Sequence, residues 1–316
     1  MDESNFSTML AQLTGLTFDQ KQLLLKTLQA KSDLEQIAEI VNEKIFSSPV
    51  CPHCNCSKVV KCGVVSSLQR YRCKECKATF NALTGTSMAR LRKKDRWLEY
   101  SKALDESLTL VKAAERCGID RTTAFRWRHR FLAGIAHNTE VCEGITEIDE
   151  TYFRESGKGK PVQHREPRRR GKSPKRGLSA EQIPVIVARD RHGKTCDMVL
   201  HRRTSNEIVR LLADKIMPDS VVCIENTPTL VGFARRAGLV YEIVGMDKSR
   251  QGREKAFHVQ NVNAYHSRLK GWMRRFNGVA TERLPNYLGW RRQLENGPPS
   301  PKGLLAAVVR NKGIHI

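Results

Sequence analysis

Residues 144–153 read GITEIDETYF, and this stretch decides how the whole chain is read. Isoleucine, threonine, tyrosine and phenylalanine favour extended backbone, so the stretch is predicted to be a strand. It also holds three carboxylates, Glu147, Asp149 and Glu150, in a chain of formal net charge +22. Period two puts Glu147 and Asp149 on one side of the strand and Glu150 on the other. Two carboxylates ~4 Å apart repel by a few kcal/mol, so a fold keeps such a pair when one is protonated or a cation sits between them. Asp149 is the expected metal-facing group. Glu147 and Glu150 are expected to be solvated or paired with nearby arginine.

From residue 183 onward the pattern is α/β. IPVIVARDRHGKTCDMVL is two β-rich runs joined by the hairpin turn DRHG. TSNEIVRLLADKIM is a helix capped by Thr204 or Ser205, and SVVCIEN (220–226) is a short apolar strand. TPTLVGFARRAG is a helix ending at Gly238, LVYEIV is another strand, and NVNAYHSRLKGWMRRFN is a long basic helix. Three leading strands followed by alternating helix and strand predict a mixed sheet with helices on its faces.

The chain has 55 Lys+Arg against 33 Asp+Glu in 316 residues. That excess points to a polyanionic partner, nucleic acid before an anionic membrane. No apolar run approaches the ~18 residues of a membrane span. The opening MDESNFST has neither a basic nor an apolar region, so no secretory signal is expected, and paired cysteines point to a metal before a disulfide.

Upstream of the strand, residues 1–48 read as two short amphipathic helices. Leu23, Leu24, Leu25 and Leu28 mark the first. The second starts at the capping box SDLE, with Ile37, Ile40 and Val41 as its apolar face. In residues 49–82, CPHC (Cys51, Cys54) is followed 18 residues later by CKEC (Cys73, Cys76). Two Cys-x-x-Cys knuckles at this separation match a four-thiolate structural zinc site on a small ribbon, which needs the metal to fold. Cys56 and Cys62 are left over, and His53 is read as a spectator.

Residues 83–140 have helix-turn-helix spacing. Leu110, Val111, Ala114 and Cys117 line one helix, CGID is a tight turn, and Asp120 caps a second helix with Ala124, Trp127 and Phe131 inward. Arg121, Thr122, Arg126, Arg128, His129 and Arg130 are expected to face outward, toward DNA or solvent. Residues 154–177 hold ten Lys/Arg against two Glu. They read as a loop or hairpin insert that orders on phosphate through Arg168, Arg169 and Arg170, or as a disordered basic insert. The tail after Gly297 reads as irregular.

A basic, DNA-seeking protein has a use for clustered carboxylates: hard divalent ions held by oxygen. Two Mg²⁺ ions serve in-line phosphoryl transfer. A mid-strand acid (Asp149), a strand-end acid (Glu225) and a helix-borne group (Asn263) follow the pattern of an RNase H-like nuclease core. His266 and Lys270 lie three and seven residues beyond Asn263, on the same helix face.

These features together resemble a bacterial insertion-sequence transposase of the DDE superfamily, in the ISXO-like group. The carrying residues are CPHC…CKEC, EIDETYF, VVCIEN…FARRAGL and HVQNVNAYHSRLKGWMRRFNGVATERLPNYLGWRR, spanning roughly residues 50–295. The resemblance implies a zinc ribbon and helix-turn-helix joined to an RNase H-like core over residues 141–296, with residues 297–316 left as a tail. It implies an Asp-Asp-Asn metal set, with Asp149 first and Asn263 third, binding Mg²⁺ or Mn²⁺. Lys270 or His266 becomes a basic partner for the scissile phosphate, or His266 is inert. Partners would be double-stranded DNA, as element ends and target, and further copies of the chain, in the cytoplasm at the nucleoid. One departure stands out. The family's second Asp lies in a pattern like C-S-D-G, whereas this chain has Cys223, Ile224, Glu225 and Asn226. Glutamate reaches one methylene further, and a ~1 Å shift at such a centre costs ~100-fold. The resemblance therefore allows two functions: an active transposase, or an impaired or repurposed copy acting as a sequence-specific DNA-binding protein.

Overall fold

The computed structural model describes residues 7–8, 12–13, 15–29, 33–43, 49–158, 160, 179, 181–244, 256–295 and 300–310. Most of the basic insert, including Arg168, Arg169 and Arg170, and the Ser32 cap lie outside them. The chain divides into two units, residues 1–84 with 90–98, and residues 85–89 with 99–316.

The first unit holds α1 (Phe18–Gln29) and α2 (Asp33–Glu43), with Ile37 and Val41 of α2 buried. It also holds an antiparallel sheet ordered β1 (Val59–Val65), β2 (Leu68–Cys73), β3 (Thr79–Phe80). Ser66 and Ser67 both have positive φ in the two-residue turn from β1 to β2, the handedness that matches strand twist. Tyr71 stacks on Phe80 at 5.6 Å, beside Cys51 and Cys73.

The helix α3 (Trp97–Asp105) leads into α4 (Leu110–Cys117) and α5 (Arg121–Ile135). Gly118, at φ 59°, ends α4 in a left-handed conformation that suits glycine. Asp120 caps α5 by accepting from the Thr122 amide at 2.7 Å. Ala113, Ala114 and Cys117 form the buried face of α4, and Val111 is exposed rather than inward.

The second unit is built on a five-stranded mixed sheet. Its strands are β4 (Ile145–Arg154), β5 (Gln182–Asp190), β6 (Thr195–Val199), β7 (Val221–Glu225) and β8 (Val240–Val244), in the spatial order β6-β5-β4-β7-β8. β4, β5 and β6 pair antiparallel, while β4–β7 and β7–β8 are parallel. The parallel pairs need helical crossovers, supplied by α6 (Ser205–Leu212) and α7 (Pro228–Arg236). Thr204 caps α6, accepting from the Glu207 amide. Ile148, Ile186, Ala188, Val222 and Ile224 form one apolar face of the sheet, against Ile208, Leu212, Leu230 and Phe233.

The remaining helices are α8 (Gln260–Met273), α9 (Leu284–Glu295) and α10 (Pro301–Arg310). α10 corrects the expectation of an irregular tail. Leu304, Leu305, Val308 and Val309 recur at helical spacing and are buried. A Cβ on Gly134 of α5 would stand 2.9 Å from the Val308 carbonyl, so glycine admits the close approach of α10.

A buried ion pair ties α9 to the sheet. Arg292 pairs with Asp197 of β6, and the same carboxylate accepts from the Tyr265 hydroxyl at 2.6 Å. Arg292 also donates to the Ala136 carbonyl at 2.6 Å, just past α5. Breaking one side of such a pair leaves an uncompensated buried charge. Arg292→Met is expected to lower stability by about 3–5 kcal/mol in urea unfolding. Asp197→Leu combined with Arg292→Met should recover most of that loss; no recovery in the double variant would count against the pairing.

Candidate functional site

β4 is the central strand, hydrogen-bonded on both sides, and its alternation places its three acids in different surroundings. Glu150 accepts from Arg203 Nε at 2.8 Å and from the Tyr152 hydroxyl, so its expected pairing with arginine is found. Glu147 is fully buried and likewise pairs with an arginine, Arg191, rather than being solvated.

Asp149 is different. Its carboxylate is 16% exposed, and no arginine pairs with it among the described residues. The His266 imidazole lies beside it, with Nδ1 3.7 Å from Asp149 Oδ2, beyond a normal hydrogen bond. Burial, together with the charges of Glu225 and Glu150, raises its pKa from 3.8 to about 6, while the Glu150 amide and Lys270 pull the other way. Burial and Lys270 lower His266 to about 4, so the imidazole is neutral at pH 7. Burial holds the Lys270 ammonium below its usual range, opposed by the charge of Asp149.

The structure therefore brings Glu225, His266 and Lys270 within electrostatic reach of Asp149. Glu225 is the exposed last residue of β7, the strand beside β4. Asn263 is exposed on α8, one turn before His266 and on the same helix face as His266 and Lys270. The oxygen donors of Asp149, Glu225 and Asn263 suit a hard divalent ion. Burial is the main cause of the raised Asp149 pKa, and a bound cation would oppose it by stabilising the carboxylate.

Sequence reading did not identify what surrounds Glu147. Arg191, in the turn after β5, and His258, just before α8, both reach it. Arg191 lies 44 residues from Glu147 in the chain, so no local pattern pointed to the pair.

In the first unit, Cys51, Cys54, Cys73 and Cys76 converge, with their sulfurs all within 4.8 Å of one another. The Cys51–Cys76 and Cys54–Cys73 separations are both 3.6 Å. A tetrahedral ion with ~2.3 Å metal–sulfur bonds needs sulfurs about 3.8 Å apart. Asn55 and Lys77, each following the second cysteine of a knuckle, both have left-handed φ, so the two knuckles turn alike.

On α5, Arg121, Thr122 and Arg126 are exposed, as expected. Arg128 and His129 are buried, and this corrects the expectation that they face outward. Arg128 donates to the Leu108 carbonyl at 2.6 Å, and its guanidinium lies 5.2 Å from the centroid of the Trp290 ring. Helical spacing placed Arg128 on a polar face, but a cation–π and carbonyl site accepts a guanidinium inside. Arg130 is half-buried and donates to the Ser87 carbonyl and, at 2.7 Å, to that of Ala89, so its fork is already occupied.

The sign of the Asp149 shift yields a prediction. A pKa raised from 3.8 to about 6 favours folding below the lower value, and that advantage is lost as pH rises through the upper one. In magnesium-free buffer, Asp149→Asn should therefore gain about 1–3 kcal/mol over the natural protein at pH 7.5 and nothing at pH 4. Urea unfolding at the two pH values reads this, and equal stabilities at pH 7.5 would refute it.

Comparison with known proteins gives the context. The family model for the ISXO2-like transposase domain matches residues 141–291. The chain is 30% identical over 251 residues to an uncharacterized protein in transposable element ISH50 of Halobacterium salinarum, covering 75% of this chain and 82% of that protein. Among solved structures, the Mos1 strand transfer complex aligns with 67% of this chain and 77% of its own at 14% identity and a TM-score of 0.23. The pre-cleavage Mos1 transpososome aligns with 70% of this chain and 79% of its own at 13% identity and a TM-score of 0.19. With a relative of this identity and coverage, and the domain match over the sheet and α8, the chain belongs to the ISXO2-like insertion-sequence transposases of the DDE type.

Proposed function

We propose that the chain binds the terminal inverted repeats of its element and catalyses metal-dependent strand cleavage and strand transfer. The observation that carries this reading is the geometry around the mostly buried Asp149 of the central strand, with His266 Nδ1 of α8 3.7 Å away and the charges of Lys270 and of Glu225 on the next strand acting on it. The sheet order, with β4 between an antiparallel and a parallel neighbour, supports an RNase H-like core.

Asp149, Glu225 and the Asn263 amide oxygen would hold Mg²⁺ or Mn²⁺. When bound, such ions activate an attacking oxygen and stabilise a leaving one. Lys270 sets positive charge against a phosphate oxygen, and neutral His266 fills the space between α8 and Asp149 without adding charge. Water cleaves a phosphodiester at the element end and leaves a 3′-OH. That hydroxyl then attacks a target phosphodiester, one P–O bond breaking as another forms, with no protein–DNA bond. Holding two ends and a target favours a multimer, acting in the cytoplasm at the nucleoid.

Arg121, Thr122 and Arg126 on α5 are the end-binding residues in this reading, which takes α4 and α5 as a helix-turn-helix. The four-cysteine cluster is proposed to hold zinc as a ribbon. Removing zinc should unfold residues 49–82 and abolish end binding while the α/β unit stays folded, as followed by circular dichroism and gel shift. Binding that survives complete zinc removal would refute the ribbon's role.

Glu225 favours a second reading, a copy that binds ends without cutting them. Both are tested by incubating the protein with terminal-repeat DNA and Mn²⁺. Joining by the natural protein, lost by roughly 10³-fold in Asp149→Ala, supports the transposase. Joining only after Glu225→Asp supports the impaired copy. No joining in either form, with tight end binding, would leave a DNA-binding protein alone.

A further inference from the structure

The helix α8 begins with one long local cap, the Gln260 amide donating to His258 Nδ1 at 3.3 Å. Val259, at its N-cap, offers no side-chain oxygen, and the first amides of a helix have no acceptor within it. The Val262 amide is satisfied from across the unit instead, donating to Glu147 Oε2 at 2.9 Å. The other oxygen, Oε1, pairs with Arg191 and lies 3.1 Å from His258 Nδ1. Arg191 also donates to the Ala256 carbonyl at 2.7 Å, so one guanidinium grips both the carboxylate and the approach to the helix. A negative group at this end also complements the helix dipole.

The spacing gives this contact a consequence. Glu147 and Asp149 are two residues apart on one face of β4, about 6.7 Å along the strand. Val262 and His266 are four residues apart on one face of α8, about 6 Å along its axis. The contacts Glu147–Val262 and Asp149–His266 are thus two rungs of nearly matched length between strand and helix. A slip of one residue along α8 would turn the helix by about 100° and carry His266 and Lys270 away from Asp149.

We infer that Glu147, held by Arg191, is a positioning residue that sets the register of α8 on β4 and so aims Asn263, His266 and Lys270 at Asp149. It acts through the helix and touches neither DNA nor the metal ligands. The inference rests on the proposed reading of Asp149 and Asn263 as site residues.

Two variants separate positioning from plain charge burial. Glu147→Gln keeps an oxygen at full reach for the Val262 amide but loses the charge that Arg191 pairs with. Glu147→Asp keeps the charge but withdraws the oxygens by one methylene. Positioning predicts that the Asp variant joins ends about 100-fold more slowly and the Gln variant only about 10-fold, both with unchanged end affinity by gel shift. Exchange of the Val262 amide, followed by hydrogen–deuterium exchange, should accelerate at least ~10-fold in the Asp variant and less in the Gln variant. The reverse order, with Gln more damaging than Asp, would overturn the inference, as would unchanged Val262 protection in the Asp variant.

Asp149→Ala is run alongside, in the Glu225→Asp background if the natural protein does not join ends. It should abolish joining while leaving Val262 protected. If Asp149→Ala joins normally, or no form joins at all, the functional reading fails, and the order of Val262 exchange in the two variants still decides whether Glu147 holds the helix.

Discussion

The rest of the second unit depends on one constraint: β4 is a central strand that carries three acids in mostly buried surroundings, Glu147 wholly enclosed and Asp149 only 16% exposed. A buried carboxylate is costly unless paired, and β4 resolves its three in three ways. Glu147 is neutralised by Arg191 and spent on a helix terminus. Glu150 turns to the other face and meets Arg203 and Tyr152. Asp149 is left underpaired, next to Glu225 and a neutral His266, and its proton affinity rises. In a basic chain with arginines available nearby, an unquenched carboxylate at the sheet centre is the feature that most needs a ligand.

The same logic of pairing governs the helical parts. Arg292 and Asp197 bury opposite charges where α9 meets β6, with Tyr265 and backbone carbonyls completing their hydrogen bonds. Arg128 is enclosed by the Trp290 ring and the Leu108 carbonyl. Part of the chain's positive charge is therefore structural, and net charge overstates what faces a polyanion. On α5 the exposed remainder is Arg121 and Arg126, with Thr122 between them in sequence.

Family membership and geometry bear on different questions. The match to the ISXO2-like transposase domain covers the sheet, α8 and most of α9, the parts that position Asp149, Glu225 and Asn263. It says what kind of protein this is. The longer side chain at Glu225 bears on whether this copy still performs the chemistry, because reach at a phosphoryl-transfer centre is decided at the ångström scale.

Much of the fold was legible in the residues alone, because the signals are local. Alternation marked β4, turn chemistry marked the hairpin after Asp190, Asp120 and Thr204 announced helix starts, and Cys-x-x-Cys spacing announced the cluster. Each of these is settled within a few residues by backbone period, capping or the reach of a knuckle. Where the sequence reading missed, the deciding partner is distant in the chain. Arg128 is inside because Trp290 and Leu108 receive it, and the apolar face of residues 301–310 is buried where Gly134 leaves room for Val308. Asp149 was recognisable as an acid on a strand. Its raised pKa, the neutrality of His266 and the grip of Glu147 on α8 exist only once strands and helices far apart in sequence lie side by side. Side-chain period is a property of the local backbone, whereas charge compensation in a buried site depends on whichever groups the fold brings within a few ångströms.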